Sequence, residues 1–207
     1  MNRVALLLSG GMDSIALAWM LRPHVSYTVD YGHRAFDGEE RAAAEVCRQL
    51  GIRHRVLRAD VSSLGSGDLT RTPPALVAPT PEWWPFRNQF LVTVAGMAAI
   101  QDAADTIVIG TVFTDDRHAD GRPQFLEKLD SVLALQEGGL RLQAPAAHMT
   151  TPELVRSAQI PEEILYLAHS CHRASLACGR CRGCMKYIVV KEHLAGRMAW
   201  PDRCEKR

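Results

Sequence analysis

Val4-Ala5-Leu6-Leu7-Leu8-Ser9-Gly10-Gly11-Met12-Asp13-Ser14 decides the fold: five apolar residues run into a turn built on two glycines, and a helical stretch follows to about Leu21. The apolar run ends in a glycine-rich turn rather than a cleavage site, so it reads as a buried first strand and not as a secretion signal. Two adjacent glycines let the backbone turn tightly and bring its N–H groups against an anion. The helix that follows adds unsatisfied amides and the positive end of its dipole. Ser9 and Ser14 hydroxyls can donate to phosphate oxygens. Asp13 would repel a polyphosphate unless a cation lies between, which points to Mg²⁺ shared with the nucleotide. The plain alternative is a structural strand-to-helix turn with Asp13 in the first helical turn. No Gly-Lys-Ser/Thr follows, so this is not a Walker A loop.

Outward from this turn, strand-like and helix-like segments alternate. Val25–Asp30 and His54–Leu57 read as strands, and Thr106–Gly110 is a β-branched run ending in glycine. Gly38–Leu50 shows helical spacing and is stopped by Gly51. Phe90–Ala104 reads as a mostly apolar, buried helix, and Arg122–Gln136 as another. Thr151 is the expected N-cap of a further helix with Pro152 at its first position. The stretch from Ser62 to Pro85, rich in Ser, Gly, Thr and Pro, is expected to be a long loop, of a kind commonly functional or mobile in compact domains. The pattern predicts an α/β fold: a Rossmann-like open parallel sheet with helices on both faces. Ligands bind beyond the carboxyl ends of such strands. This gathers Leu8 to Ser14, Tyr31 after the second strand and Gly110 at one rim as candidate nucleotide-binding residues.

The six cysteines are not spread as a disulfide framework would be. Cys171, Cys178, Cys181 and Cys184 crowd into fourteen residues and supply the thiolates of a closed tetrahedral zinc site. A closed site has no open coordination position, so its role would be structural. An iron–sulfur cluster and disulfides are the alternatives. Arg173, Arg180, Arg182 and Lys186 offset the cluster's negative charge. Cysteines used this way place the chain in reducing cytosol. Cys47 reads as helix filler, and Cys204, in a polar tail, is assigned nothing. The division expected is a nucleotide-binding domain over residues 1–160 and a zinc-binding segment over 161–207 packed on it.

A hydrophobic fraction of 47% is that of an ordinary globular protein, and no apolar run reaches the length of a membrane span. A net charge of +1 argues against general nucleic-acid or membrane-surface binding, which draws on a basic excess.

Ser9-Gly10-Gly11-Met12-Asp13-Ser14 resembles the SGGxDS signature of the PP-loop (HUP-type) ATP pyrophosphatases, which cleave ATP between its α- and β-phosphates. Further segments, in order, resemble the 7-cyano-7-deazaguanine synthase (QueC) family: Asp30-Tyr31-Gly32-His33-Arg34, Pro85-Phe86-Arg87-Asn88, Ile107-Val108-Ile109-Gly110, Asp120-Gly121-Arg122-Pro123-Gln124-Phe125, and Ser170-Cys171 with the cysteine run to Cys184. The resemblance runs from Val4 to about Lys186. It implies ATP-dependent adenylation of the carboxylate of 7-carboxy-7-deazaguanine, attack by ammonia, and an ATP-driven dehydration to the nitrile. It also implies a homodimer.

Within the resembling segments, Arg87 and Arg122 are candidates for gripping carboxylate or phosphate oxygens, their guanidinium groups being planar and bidentate. Asn88 and Asp120 are candidate substrate contacts, Asp120 also for a metal. The plain readings are a surface or cap arginine and a helix N-terminal carboxylate. Trp83 and Trp84 can stack on a nucleobase or simply pack; Asp115 and Asp116 read as loop acids. His118, His169 and His172 read as proton carriers or as hydrogen-bonded structural histidines. The chain departs from the family pattern in a shorter spacing between its first two cluster cysteines, at Thr151, at His169 and His172, and at Arg117-His118-Ala119. These departures lie around the acceptor half of the site. They keep open a QueC-like enzyme of an antiviral-defence (CBASS-type) operon, in which the activated deazaguanine passes to a protein or another amine. A tRNA-thiolating PP-loop enzyme and a non-enzymatic zinc module are further alternatives.

Overall fold

The apolar run at Val4 forms a strand enclosed on both faces, with Ala5, Leu6 and Leu8 fully buried. Such two-sided burial is why it reads as a continuous apolar stretch rather than an alternating one. The computed structural model describes residues 3–115 and 118–200; Asp116, Arg117 and Cys204 lie outside the described residues. Its main elements are β1 (Val4–Leu7), α1 (Met12–Leu21), β2 (Val25–Asp30), α2 (Phe36–Leu50), β3 (Arg53–Arg58), α3 (Arg87–Gln101), β4 (Thr106–Val108), α4 (Pro123–Ala134), β5 (Arg141–Gln143), α5 (Thr151–Ala158), α6 (Glu162–Leu165) and α7 (Arg182–Leu194).

All five strands are parallel, in the order β3-β2-β1-β4-β5. The chain winds outward from β1 in one direction and then crosses back to β4, so the order reverses between β1 and β4. Crevices for ligands open at such a switch point. Two cores flank the sheet. Leu6 and Leu8 join Ile15 and Leu17 of α1, Val46 of α2, Leu154 of α5 and Val190 of α7. Ala5 and Leu7 join Val92 and Ala95 of α3 and Leu126 and Leu129 of α4 on the other face. Ile164, Leu165 and Val190 belong to the first core, so the segment after residue 160 is built into the same hydrophobic unit as the phosphate loop's helix.

Several expectations are corrected. The N-cap of α5 is Thr150, not Thr151: its hydroxyl accepts from the Glu153 amide and the Glu153 carboxylate accepts from the Thr150 amide, a full capping box, which puts Pro152 at the second helical position. Thr151 is instead fully buried. α3 is not buried all round, since Met97 and Ile100 face outward from a helix that forms the outer layer over one sheet face. The stretch from Ser62 to Pro85 is no open loop throughout. It carries two short 3₁₀ turns and buries Asp68, Leu69, Glu82 and Trp84. Three elements went unread: β5 is only three residues with one buried side chain, α6 is a single turn, and α7 begins inside the cysteine run.

Candidate active site

Gly10 takes φ +71°, and a Cβ there would sit 2.5 Å from the Glu39 carbonyl oxygen of α2. The turn therefore needs glycine twice over, for its left-handed backbone and for the close approach of the neighbouring helix. Gly11, extended at φ −78° and ψ 162°, is the N-cap of α1. The Ser14 hydroxyl donates to the Gly11 carbonyl at 3.0 Å and lies 3.3 Å from the Ser9 hydroxyl. This leaves the first-turn amides of α1 without intrahelical partners and facing the loop, the arrangement that holds phosphate in other nucleotide sites. Across the switch point, Gly110 comes so close that a Cβ would lie 3.4 Å from the Ser14 amide nitrogen.

These residues line a cleft of about 310 Å³, at the lower end of the sizes that take small molecules. Leu8, Ser9, Gly11, Met12, Asp13, Ser14, Tyr31, Gly110, Arg87 and Asn88 all contribute to its wall, while Gly10 is buried behind the turn. The structure thus gathers loops after β1, β2 and β4 with the start of α3. Arg87 follows Phe86, an exposed residue in the left-handed region at φ 61°, which marks a sharp entry into α3. The Arg87 guanidinium hydrogen-bonds the Tyr31 phenol, whose pKa is pushed well up by burial, so the hydroxyl stays protonated. Tyr31 stacks on His33 at 3.9 Å and meets the edge of Trp84 at 5.1 Å. Trp84 is thus a packing residue that fixes Tyr31 and does not line the cleft.

Two candidates lie elsewhere. Asp120 is buried with its carboxylate accepting from the Asn88 amide at 2.8 Å and from the Gln89 amide at 3.4 Å, so it caps the N-terminus of α3. Arg122 is exposed at the N-cap of α4; neither residue belongs to the cleft wall. Conversely, Glu39, Lys186 and Tyr187 line the cleft without having been read as site residues. Nothing in the sequence marks Glu39, whereas Lys186 is two residues past the last cluster cysteine and sits beside the cleft because of the cluster's position.

The Asp13 carboxylate is ion-paired through Oδ2 to the Lys186 ammonium at 3.0 Å, while its Oδ1 is buried with no hydrogen-bond partner. An anionic oxygen left without a donor beside a phosphate loop fits a hard cation. His169 and His172 also line the cleft, and desolvation by burial lowers the pKa of both, so each is neutral at pH 7. His118 lines the cleft as well.

Beyond the cleft, the sulfur atoms of Cys171, Cys178, Cys181 and Cys184 all lie within 4.8 Å of one another. The Cys171–Cys181 and Cys178–Cys184 separations are 3.9 and 4.0 Å. Tetrahedral bonds of about 2.3 Å to one ion hold sulfurs about 3.8 Å apart, so the set fits a single metal. Backbone amides of His172, Arg173, Cys181 and Cys184 point at these sulfurs at 3.4 to 3.5 Å, which favours thiolates. Such amide bonds draw the Cys178 thiol down to about 6, whereas burial pushes Cys184 up to about 12. Arg173 bonds Asp68 at 2.7 Å and Arg182 bonds Glu82, tying the knuckle to the segment between β3 and α3.

A doubly wound parallel sheet with an SGG turn at its switch point and an acidic first helical turn defines a PP-loop-type fold. Two solved structures share this fold. The U34-tRNA thiolase NcsA from Methanococcus maripaludis, with its [4Fe-4S] cluster, matches 95% of this chain and 70% of its own at a TM-score of 0.50 and 17% identity. The NMN synthetase from Francisella tularensis matches 96% of this chain and 79% of its own at 0.50 and 15% identity. Sequence comparison is more specific. The family described as "Queuosine biosynthesis protein QueC" matches residues 3–188. A 7-cyano-7-deazaguanine synthase from Azotobacter vinelandii is 34% identical, covering 88% of this chain and 90% of the relative. That from Pseudomonas aeruginosa (strain LESB58) is 33% identical with the same coverage, and that from Methanosarcina mazei is 28% identical over 93% of this chain and 97% of the relative. The chain belongs to the QueC family.

Proposed function

We propose that the chain is an ATP-dependent carbon–nitrogen ligase that converts 7-carboxy-7-deazaguanine to 7-cyano-7-deazaguanine. The observation that carries this reading is the QueC family match over residues 3–188, whose span includes every residue of the phosphate cleft. In the first half-reaction the substrate carboxylate attacks the α-phosphate of ATP and pyrophosphate leaves, giving an acyl adenylate. Ammonia then displaces AMP to form the amide. A second ATP activates the amide oxygen, and loss of AMP with two amide protons leaves the nitrile. The protein's part is positioning and charge stabilisation.

The Gly10-Gly11 turn and the α1 amides would cradle the phosphates, with Ser9 and Ser14 donating to their oxygens. Asp13, whose Oδ1 has no donor, would hold the Mg²⁺ that neutralises charge on the phosphates. Arg87, held by Tyr31, and Asn88 would face the reacting carboxylate; Asp120 acts on substrate only by holding Asn88 at the start of α3. Arg122 stands outside the cleft and is given no contact with substrate. The four cysteines would hold one structural zinc, because a four-iron cluster spreads its thiolates farther apart than a single ion does. The phosphate turn thus falls within residues 1–160 and metal binding within 161–207, with His169, His172, Lys186 and Tyr187 of the second segment completing the cleft wall. No described helix is long and apolar enough to cross a membrane, which fits work in the cytoplasm, and the exposed apolar side chains of Met97, Ile100, Val132 and Leu135 fit a homodimer.

The test is mass spectrometry of protein incubated with Mg-ATP and 7-carboxy-7-deazaguanine, with and without ammonium. Nitrile at two AMP per turnover is expected. Release of AMP that does not depend on the deazaguanine would refute the substrate, and activated substrate that ammonium leaves untouched would refute ammonia as the acceptor.

A further inference from the structure

Two segments separate the four-cysteine knuckle from the phosphate loop, and both touch each site. The first runs from His169 to His172. The His169 amide donates to the Gly10 carbonyl at 2.8 Å, and Cys171 two residues later belongs to the metal set. The second is the start of α7, where Cys181 is the N-cap and Cys184 lies in the first turn. One turn's reach further, Lys186 meets Asp13 at 3.0 Å. The two segments are pressed together, since a Cβ on Gly183 would lie 1.8 Å from the Ser170 carbonyl oxygen. A metal bound by Cys171, Cys181 and Cys184 therefore fixes where Lys186 can be.

Asp13 has two demands on it. One oxygen is buried without a donor and is free to hold a cation; the other is bonded to Lys186. An unneutralised carboxylate beside a triphosphate repels it, and it does so strongly where water is scarce. Asp13's side chain is only 16% exposed, so solvent screens it poorly.

We propose that Lys186 is a positioning residue for nucleotide binding: delivered by the metal-anchored start of α7, it neutralises and orients Asp13, so that Mg-ATP binding and metal retention at the cysteines are linked. The proposal rests on the ATP-using reading of the cleft and adds a residue and a coupling to it. Lys186 acts through Asp13, so its effect belongs to the pair. Linkage is reciprocal: whatever the closed knuckle contributes to ATP affinity, bound ATP returns to metal retention.

The zinc-loaded protein, its K186M, K186R and D13N variants and the D13N/K186M double variant are compared for Mg-ATP binding by calorimetry. Zinc content and melting temperature are measured on each sample. K186M is expected to weaken binding about tenfold, about 1.4 kcal/mol, while K186R stays within about threefold of the parent. In the D13N background K186M is expected to change affinity by less than about threefold, because the charge that Lys186 offsets is gone. Saturating Mg-ATP is expected to slow chelator-driven zinc release from the parent severalfold, and this protection is expected to vanish in K186M. An undiminished K186M effect in the D13N background, a K186M affinity equal to the parent's, or absence of ATP protection in the parent would each overturn the proposal while leaving ATP use intact. A parent protein that binds no Mg-ATP would overturn both readings.

Discussion

Replacing Gly10 by alanine separates two costs that the structure assigns to one residue. The first is backbone: an L-residue at φ +71° costs about 1–2 kcal/mol. The second is space: the new Cβ would sit 2.5 Å from the Glu39 carbonyl and 3.0 Å from the Ala42 Cβ, so α2 or the turn must move by more than half an ångström. Forced overpacking of this kind costs about 1–3 kcal/mol. Gly51 isolates the first cost, because it has φ +66° with nothing within 4 Å of its would-be Cβ. Gly110 isolates ordinary contact, with the nearest backbone at 3.4 Å and no positive φ. G10A is therefore expected to lose about 2–5 kcal/mol of unfolding free energy, G51A about 1–2 and G110A less than either. The ranking is read from urea unfolding at fixed m-value. Calorimetry should show Mg-ATP binding lost in G10A and preserved in G51A. If G10A and G51A were equally destabilised, the close approach of α2 to the turn would be wrong.

Thr150→Ala removes a capping box and is expected to cost about 1 kcal/mol by urea unfolding. Thr151→Val should be neutral or stabilising, because the buried Thr151 hydroxyl has no partner. Equal losses at the two positions would contradict the cap assignment. Asp130 ties α4 to β5: hydrogen bonds from Arg141 hold its carboxyl below the usual range, against the opposing effect of burial, and the Leu142 amide adds to them. A carboxyl lowered on folding contributes stability above its unfolded value of about 3.9 and loses it as pH falls through the lower folded value. D130N is expected to be less stable than the parent at pH 7, by about 1 kcal/mol, with the gap closing below about pH 4; a gap independent of pH would refute the pairing. Metal analysis should find one zinc per chain, and C184S should lose it together with its melting cooperativity, whereas a metal-free parent with an unchanged melt would remove the structural role.

β1 and β4 were legible because central strands buried on both faces carry unbroken apolar or β-branched runs, and β2 because Val25–Asp30 alternates along its length. β5 was not, because three residues with only Leu142 buried hold no period to read. α7 was hidden for a different reason. Its first turn consists of cysteine, glycine and arginine, residues that advertise metal binding and turns, and it is the cysteine N-cap that starts the helix there. Asp120 had two readings open, and its contacts with the amides of Asn88 and Gln89, thirty-odd residues away along the chain, make it the cap of α3.

The sequence by itself determined the doubly wound class, the phosphate turn and the four-thiolate set, because each is local: a strand's apolarity, two adjacent glycines and the spacing of cysteines act within a few residues. Tertiary structure alone decided which charges meet. Lys186 and Asp13 are 173 residues apart and share no pattern. They touch because the cysteine knuckle anchors the start of α7 beside the phosphate turn while Val190, further along the same helix, packs into one core with Ile15 and Leu17 of α1.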